Sequence, residues 1–115
     1  MSDKHAGYTI QEYETEDGQN PFANWALKLP RQHFERVQEA LLRIAAGKFG
    51  DVKHLGGGVK EKKLKNPPIR IYFAQDGHEL IILLTGGQKK KQSQDIEKAK
   101  TYWRDYKARK KASKR

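Results

Sequence analysis

Apolar and polar positions along this chain change period several times, and each change marks an element. Gly7 to Glu14 has the aromatic and β-branched content of a strand, and Glu16-Asp17-Gly18 turns it. Asn20-Pro21 predicts a helix start, with Asn20 as N-cap and Pro21 at the first helical position, where its missing N–H costs nothing. Phe22, Trp25 and Leu29 fall on one face of this short helix, which should end near Pro30. A longer helix is predicted from Arg31 to Ala46. There Phe34, Val37, Leu41, Ile44 and Ala45 form one stripe, and Gly47 supplies the C-cap.

Beyond it the period changes to two. Phe49 to Gly58 reads as a loop closed by Gly56-Gly57-Gly58, a triplet that lacks the spacing and the following Lys-Ser/Thr of a phosphate-binding P-loop. Three strands follow at Val59–Lys65, Ile69–Ala74 and Glu79–Leu84, joined by Asn66-Pro67-Pro68 and Gln75-Asp76-Gly77-His78 as antiparallel hairpins. In the middle strand Ile69, Ile71 and Phe73 alternate with Arg70 and Tyr72, so one sheet face should be apolar and the other should carry Arg70. Ser93 can cap a last helix with Asp95 in its first turn and Ile96, Ala99, Trp103 and Tyr106 at helical spacing. After Tyr106 there is no apolar face, and a frayed basic tail is expected from about 107 to 115. The predicted order is β-α-α-β-β-β-α, an α+β domain spanning 1–115 with a small antiparallel sheet packed by helices.

Composition adds the kind of partner. Residues 86 to 115 hold twelve of the twenty-four Lys and Arg against three of the fourteen acids, and residues 53 to 70 hold six against one. A net charge of +10 gathered into two blocks attracts polyanions by neutralising phosphates and releasing their counterions. The absence of cysteine excludes disulfides, thiol catalysis and cysteine-ligated zinc. The first residues lack an apolar signal core, and the apolar run Leu80–Leu84 is too short to cross a bilayer, so a cytoplasmic protein without membrane contact is expected. His5, His33, His54 and His78 show no metal-site spacing, Ser93 has no paired histidine motif, and neither metal nor cofactor is expected. Tyr72 reads as a packing residue, with base stacking as the alternative.

Several stretches, taken together, closely resemble one family. They are Asn20-Pro21-Phe22-x-x-Trp25, Gly47-Lys48-Phe49-Gly50-Asp51-Val52-Lys53-His54-Leu55-Gly56-x-Gly58-Val59-x-Glu61, Arg70-Ile71-Tyr72-Phe73, Gly86-Gly87-x-Lys89-x-x-Gln92 and Asp95-Ile96-x-x-Ala99-x-x-x-Trp103. Over roughly residues 7 to 107 the chain resembles the addiction-module killer proteins, relatives of the phage Gp49-like and HigB toxins in the RelE/ParE superfamily. The resemblance implies a compact microbial RNase fold and a cognate antitoxin bound as a hetero-oligomer. It further implies, as the leading activity, metal-free mRNA cleavage in the ribosomal A site, as in the RelE and HigB branches, with poisoning of DNA gyrase, as in the ParE branch, as the rival. An inactive member that retains only RNA or antitoxin binding is a third reading.

Carried over position by position, the resemblance implies a catalytic set. Lys63 matches a RelE lysine, and Arg70 matches an arginine of the next strand. Glu61 stands where RelE has lysine and HigB histidine, Lys89 where RelE has a further arginine, and Asp95 where RelE has a C-terminal tyrosine. Metal-free cleavage needs a base for the ribose 2′-OH, an acid for the 5′ leaving oxygen and positive charge at the phosphorane-like transition state. Lys63 and Arg70 would lie across a hairpin and point at one phosphate from the polar face. Arg70 would be the clamp, because its planar fork suits a phosphoryl group, although an arginine read alone would pair with a surface carboxylate. Glu61 or Lys63 would be the base. Lys60, Lys62, Lys65, Lys90 and Lys91 read as phosphate contacts to mRNA or rRNA.

Overall fold

The structure is a computed structural model that describes residues 7–66 and 68–113, so His5, Pro67 and the last two positions of the expected tail, 114 and 115, lie outside the described residues. The elements are β1 (Thr9–Glu12), α1 (Pro21–Ala26), α2 (Arg31–Ala45), β2 (Val52–Gly56), β3 (Val59–Lys65), β4 (Pro68–Asp76), β5 (Leu80–Gln88), a 3-10 turn (Lys89–Lys91) and α3 (Gln92–Ser113). They form the expected α+β arrangement, a five-stranded sheet in the order β1-β5-β4-β3-β2 packed by helices.

The start of α1 follows its predicted capping chemistry: the Ala23 N–H donates to Asn20 Oδ1 at 2.9 Å, with Pro21 opening the helix. Three features correct the sequence reading. First, β1 pairs with β5 in parallel, from Thr9 beside Leu80 to Glu12 beside Leu83, so the sheet is mixed and not wholly antiparallel. The two helices between β1 and β2 return the chain and leave β1 free to join the far side of β5. Second, the expected loop at Phe49–Gly58 contains β2, which pairs with β3 around the Gly57-Gly58 turn. Both glycines have positive φ, 65° and 92°, a conformation open to them because they lack Cβ.

Third, α3 does not fray after Tyr106 but continues to Ser113, and it begins at Gln92 without a Ser93 cap. Its last turns are tied down by polar contacts, not by an apolar stripe. Tyr106 Oη donates to Asp76 Oδ2 at 2.6 Å, Lys110 pairs with the same carboxylate, and Arg109 bridges Asp105 at 2.8 Å and reaches the Glu14 carbonyl.

The sheet is covered on both faces. Ile69, Ile71, Phe73, Ile81 and Leu83 pack with Phe22, Val37 and Ile44 of α1 and α2. On the other face Val59, Tyr72, Ala74, Ile82 and Leu84 pack with Ala99 and Trp103 of α3. Fully burying one such large side chain contributes about 1.5–3 kcal/mol, so both layers are needed in a chain this small. The face expected to be polar, the one that carries Arg70, is therefore a second core.

Candidate functional site

Pairing between β1 and β5 stops at Leu83, which leaves the strand end Thr85–Gln88 with β4 on one side and, among the described residues, no strand on the other. α1 flanks this open end from one face of the sheet and α3 from the other. Between them runs a groove of about 590 Å³, lined by Asn24, Trp25 and Lys28 of α1, Lys90 and Lys91 of the 3-10 turn, and Asp95, Lys98 and Tyr102 of α3. Its floor is Thr85-Gly86-Gly87-Gln88.

Two glycines make the groove possible. A Cβ on Gly86 would stand 2.3 Å from Cε3 of Trp25, and one on Gly87 would stand 2.0 Å from Oδ2 of Asp95. The indole and the carboxyl thus rest directly on backbone, one on each face of the same strand. Burial raises the Asp95 pKa above its ordinary value, and Lys98 and Lys91 oppose that rise.

Beneath this end of the groove lies a buried polar cluster. Arg70 stands beside Gly87 in the sheet register and is 5% exposed, as is Glu61. Arg70 Nε lies 3.5 Å from Glu61 Oε2, and Gln92 Nε2 donates to Glu61 Oε1 at 3.2 Å. Among the described residues, Nε and Nη1 of Arg70 and the hydroxyl of Tyr72 are buried without a hydrogen-bond partner. Tyr72 is pushed up to about 12, first by burial and then by the Glu61 and Asp95 carboxylates, with Arg70 acting in the opposite sense.

The structure thus distributes the sequence candidates over several places. Asp95, Lys90 and Lys91 line the groove. Glu61 and Arg70 are paired beneath it, and both are buried. Lys63 lies opposite Arg70 in the register and is exposed, whereas Arg70 is buried. Lys89 and Lys65 are exposed, and Lys60 and Lys62 are half-buried on the strand face shared with Leu64. The residues that sequence reasoning missed are Trp25, Lys28, Lys98 and Tyr102. The signal for them was Gly86-Gly87 at the end of an apolar strand, which marks a close approach to backbone. Among the described residues no three of His, Asp and Glu are grouped so as to hold a metal ion, and no helix is long and apolar enough to cross a membrane.

A mixed sheet between two helical layers, with cations gathered at one open strand end, defines a small basic α+β protein with a lysine-rich groove. Residues 24–113 match the family model described as Phage derived protein Gp49-like (DUF891), and the chain belongs to that family. The family falls in the RelE/HigB-like toxin group, and the architecture is compatible with a compact RelE-like fold. An uncharacterized protein of Haemophilus influenzae (strain ATCC 51907 / DSM 11121 / KW20 / Rd) is 32% identical over 81 residues, 69% of this chain and 82% of that protein.

Proposed function

We propose that this protein is the toxin of a type II toxin–antitoxin pair, a metal-independent endoribonuclease that cuts mRNA at the ribosome and is neutralised by a cognate antitoxin. The observation that carries this reading is the groove itself: one carboxyl, Asp95, of raised pKa set among Lys28, Lys90, Lys91 and Lys98. Cleavage by the neighbouring ribose needs this combination. The Asp95 carboxylate, made more basic by its burial, takes the 2′-OH proton as the 2′ oxygen attacks phosphorus. The lysines offset the charge that builds on the phosphoryl oxygens, and the ammonium of Lys90 or Lys91 protonates the 5′ oxygen as the P–O5′ bond breaks. The product is a 2′,3′-cyclic phosphate and a free 5′-hydroxyl.

In this reading Arg70 and Glu61 are positioning residues. Their pairing, with Gln92 bonded to Glu61, fixes the start of α3 and hence the carboxyl of Asp95 over Gly87. Lys63, Lys65 and Lys89 meet mRNA or rRNA phosphates at the margin of the site, and Lys60 and Lys62 contribute to the same positive field. Primer extension on mRNA after brief induction tests the proposal. Cuts inside translated codons are expected from the wild type and not from an equally abundant Asp95→Asn protein. Intact mRNA with broken DNA would discard it in favour of gyrase poisoning.

A further inference from the structure

The chemistry above leaves two aromatic rings of the groove unused. Trp25 is half-buried on the α1 wall, its six-membered ring seated on the backbone of Gly86 and braced by Phe22, whose ring centroid is 5.6 Å away. Tyr102 stands on the α3 wall, stacked from behind on Tyr13 at 5.1 Å and 27°. Rings braced in this way lose little freedom when a further flat group is laid against them. Lysines surround both rings: Lys28 follows Trp25 by three residues, Lys98 precedes Tyr102 by four, and Lys90 and Lys91 stand at the end of the floor.

Planar surfaces interleaved with cations match a single-stranded nucleic acid, whose bases stack and whose phosphates neutralise lysines. A duplex keeps its bases stacked on one another and gives such rings nothing to hold. An acidic peptide satisfies the lysines and leaves the rings without planar partners. Resting on the RNA reading just given, we infer that this groove seats single-stranded RNA directly, without the ribosome, with one base stacked on the indole of Trp25, its flanking phosphates on Lys28 and Lys98, and Tyr102 as a second aromatic contact. Gly86 is then the residue that admits the indole, and hence the base, to the strand end.

The chain has two tryptophans, which makes the test direct. In a 15N–1H spectrum of the labelled full chain the two indole N–H signals are told apart by Trp25→Phe. The probe is an uncleavable 2′-O-methyl oligonucleotide of roughly six residues, within the site size such grooves take, added at low salt. The expected result is a saturable shift of the Trp25 signal with Trp103, which lies in the α3 core, unmoved. Trp25→Leu should weaken binding about tenfold, the loss of one stacked base. Lys28→Ala and Lys98→Ala, both at exposed positions, should each flatten the salt dependence by about one phosphate contact. Absence of binding, binding that leaves Trp25 silent, or an equal Trp25 shift with poly-glutamate would each overturn the inference. Codon-internal cuts in cells with a silent Trp25 would sink this inference alone. A moving Trp25 with intact cellular mRNA would uphold it and sink the nuclease reading.

Discussion

The carboxyl of Asp95 rests on the backbone of Gly87, so closely that a single methyl group on Gly87 would fall 2.0 Å from Oδ2. Gly87→Ala therefore has to push Asp95, and the first turn of α3 with it, away from the sheet. Overpacking of this kind costs about 1–3 kcal/mol. Pairing it with Asp95→Ala should restore most of the lost stability in thermal melts but none of the toxicity. A Gly87→Ala single variant that melts like the wild type and remains fully toxic would show that this contact is dispensable.

Asp95 should also weaken the fold it serves. Because burial holds its pKa above the ordinary 3.8, the folded chain binds more protons than the unfolded chain between that pH and the raised value. Stability is thus surrendered as the pH rises from 3.8 through the raised value, and the loss is complete above it. Asp95→Asn should melt higher than the wild type at neutral pH, with the advantage vanishing below about pH 3.8. Together with lost toxicity, that result would separate activity from folding. A neutral-pH melt below that of the wild type would contradict the sign.

The pair Arg70–Glu61, with side chains 6% and 5% exposed, is expected to be asymmetric towards mutation. Arg70→Ala alone leaves a buried carboxylate uncompensated and should cost about 3–5 kcal/mol in urea unfolding. Replacing both residues with methionine should recover most of that loss. Similar unfolding midpoints for the single variant and the wild type would show that the pair is not structural.

Alkaline pH should unfold the protein through its phenols. Tyr13, Tyr72 and Tyr106 are each raised from 10.0 to about 12, in every case chiefly by burial. The folded state favours the neutral phenol, so the stabilisation is fully present below pH 10 and is lost as the pH rises through about 12. Tyr13→Phe and Tyr106→Phe should each reduce the steepness of that loss. Each should also cost about 1 kcal/mol at neutral pH, because the phenol donates 2.6 Å hydrogen bonds to Asp105 and Asp76 respectively. Unchanged alkaline melts in both variants would refute the assignment.

Periodicity made the helices and the three-strand meander readable, since Val37, Ile44, Ile71 and Phe73 are buried as their spacing required. It did not reveal β2, because Val-Lys-His-Leu-Gly is a short edge strand with little to bury and is held by its hairpin partner. Nor did it give the length of α3, whose last turns depend on Asp76, Asp105 and the Glu14 carbonyl, acceptors that are distant in sequence or supplied by the helix itself. The alternation of Arg70 and Tyr72 with isoleucines suggested a wet face. A second helix over that face turns the same pattern into a buried ion pair, which a period of two cannot distinguish. At the site, the residue types of Asp95, Lys90 and Lys91 were legible. Their assembly with Trp25 and Lys28 was not, because it depends on where the pairing of β1 ends.

The parallel pairing of β1 sets the order in which this molecule closes. β2 to β5 form a continuous meander of neighbouring hairpins, each needing only the segment before it, whereas Thr9 must wait for Leu80. Long-range closure comes after local hairpins, so the meander is the seed and the first strand is the latch. Without that latch, Leu80–Leu83 would be a bare apolar edge continuous with the strand end at Thr85–Gln88, open to pairing with the edge of another chain.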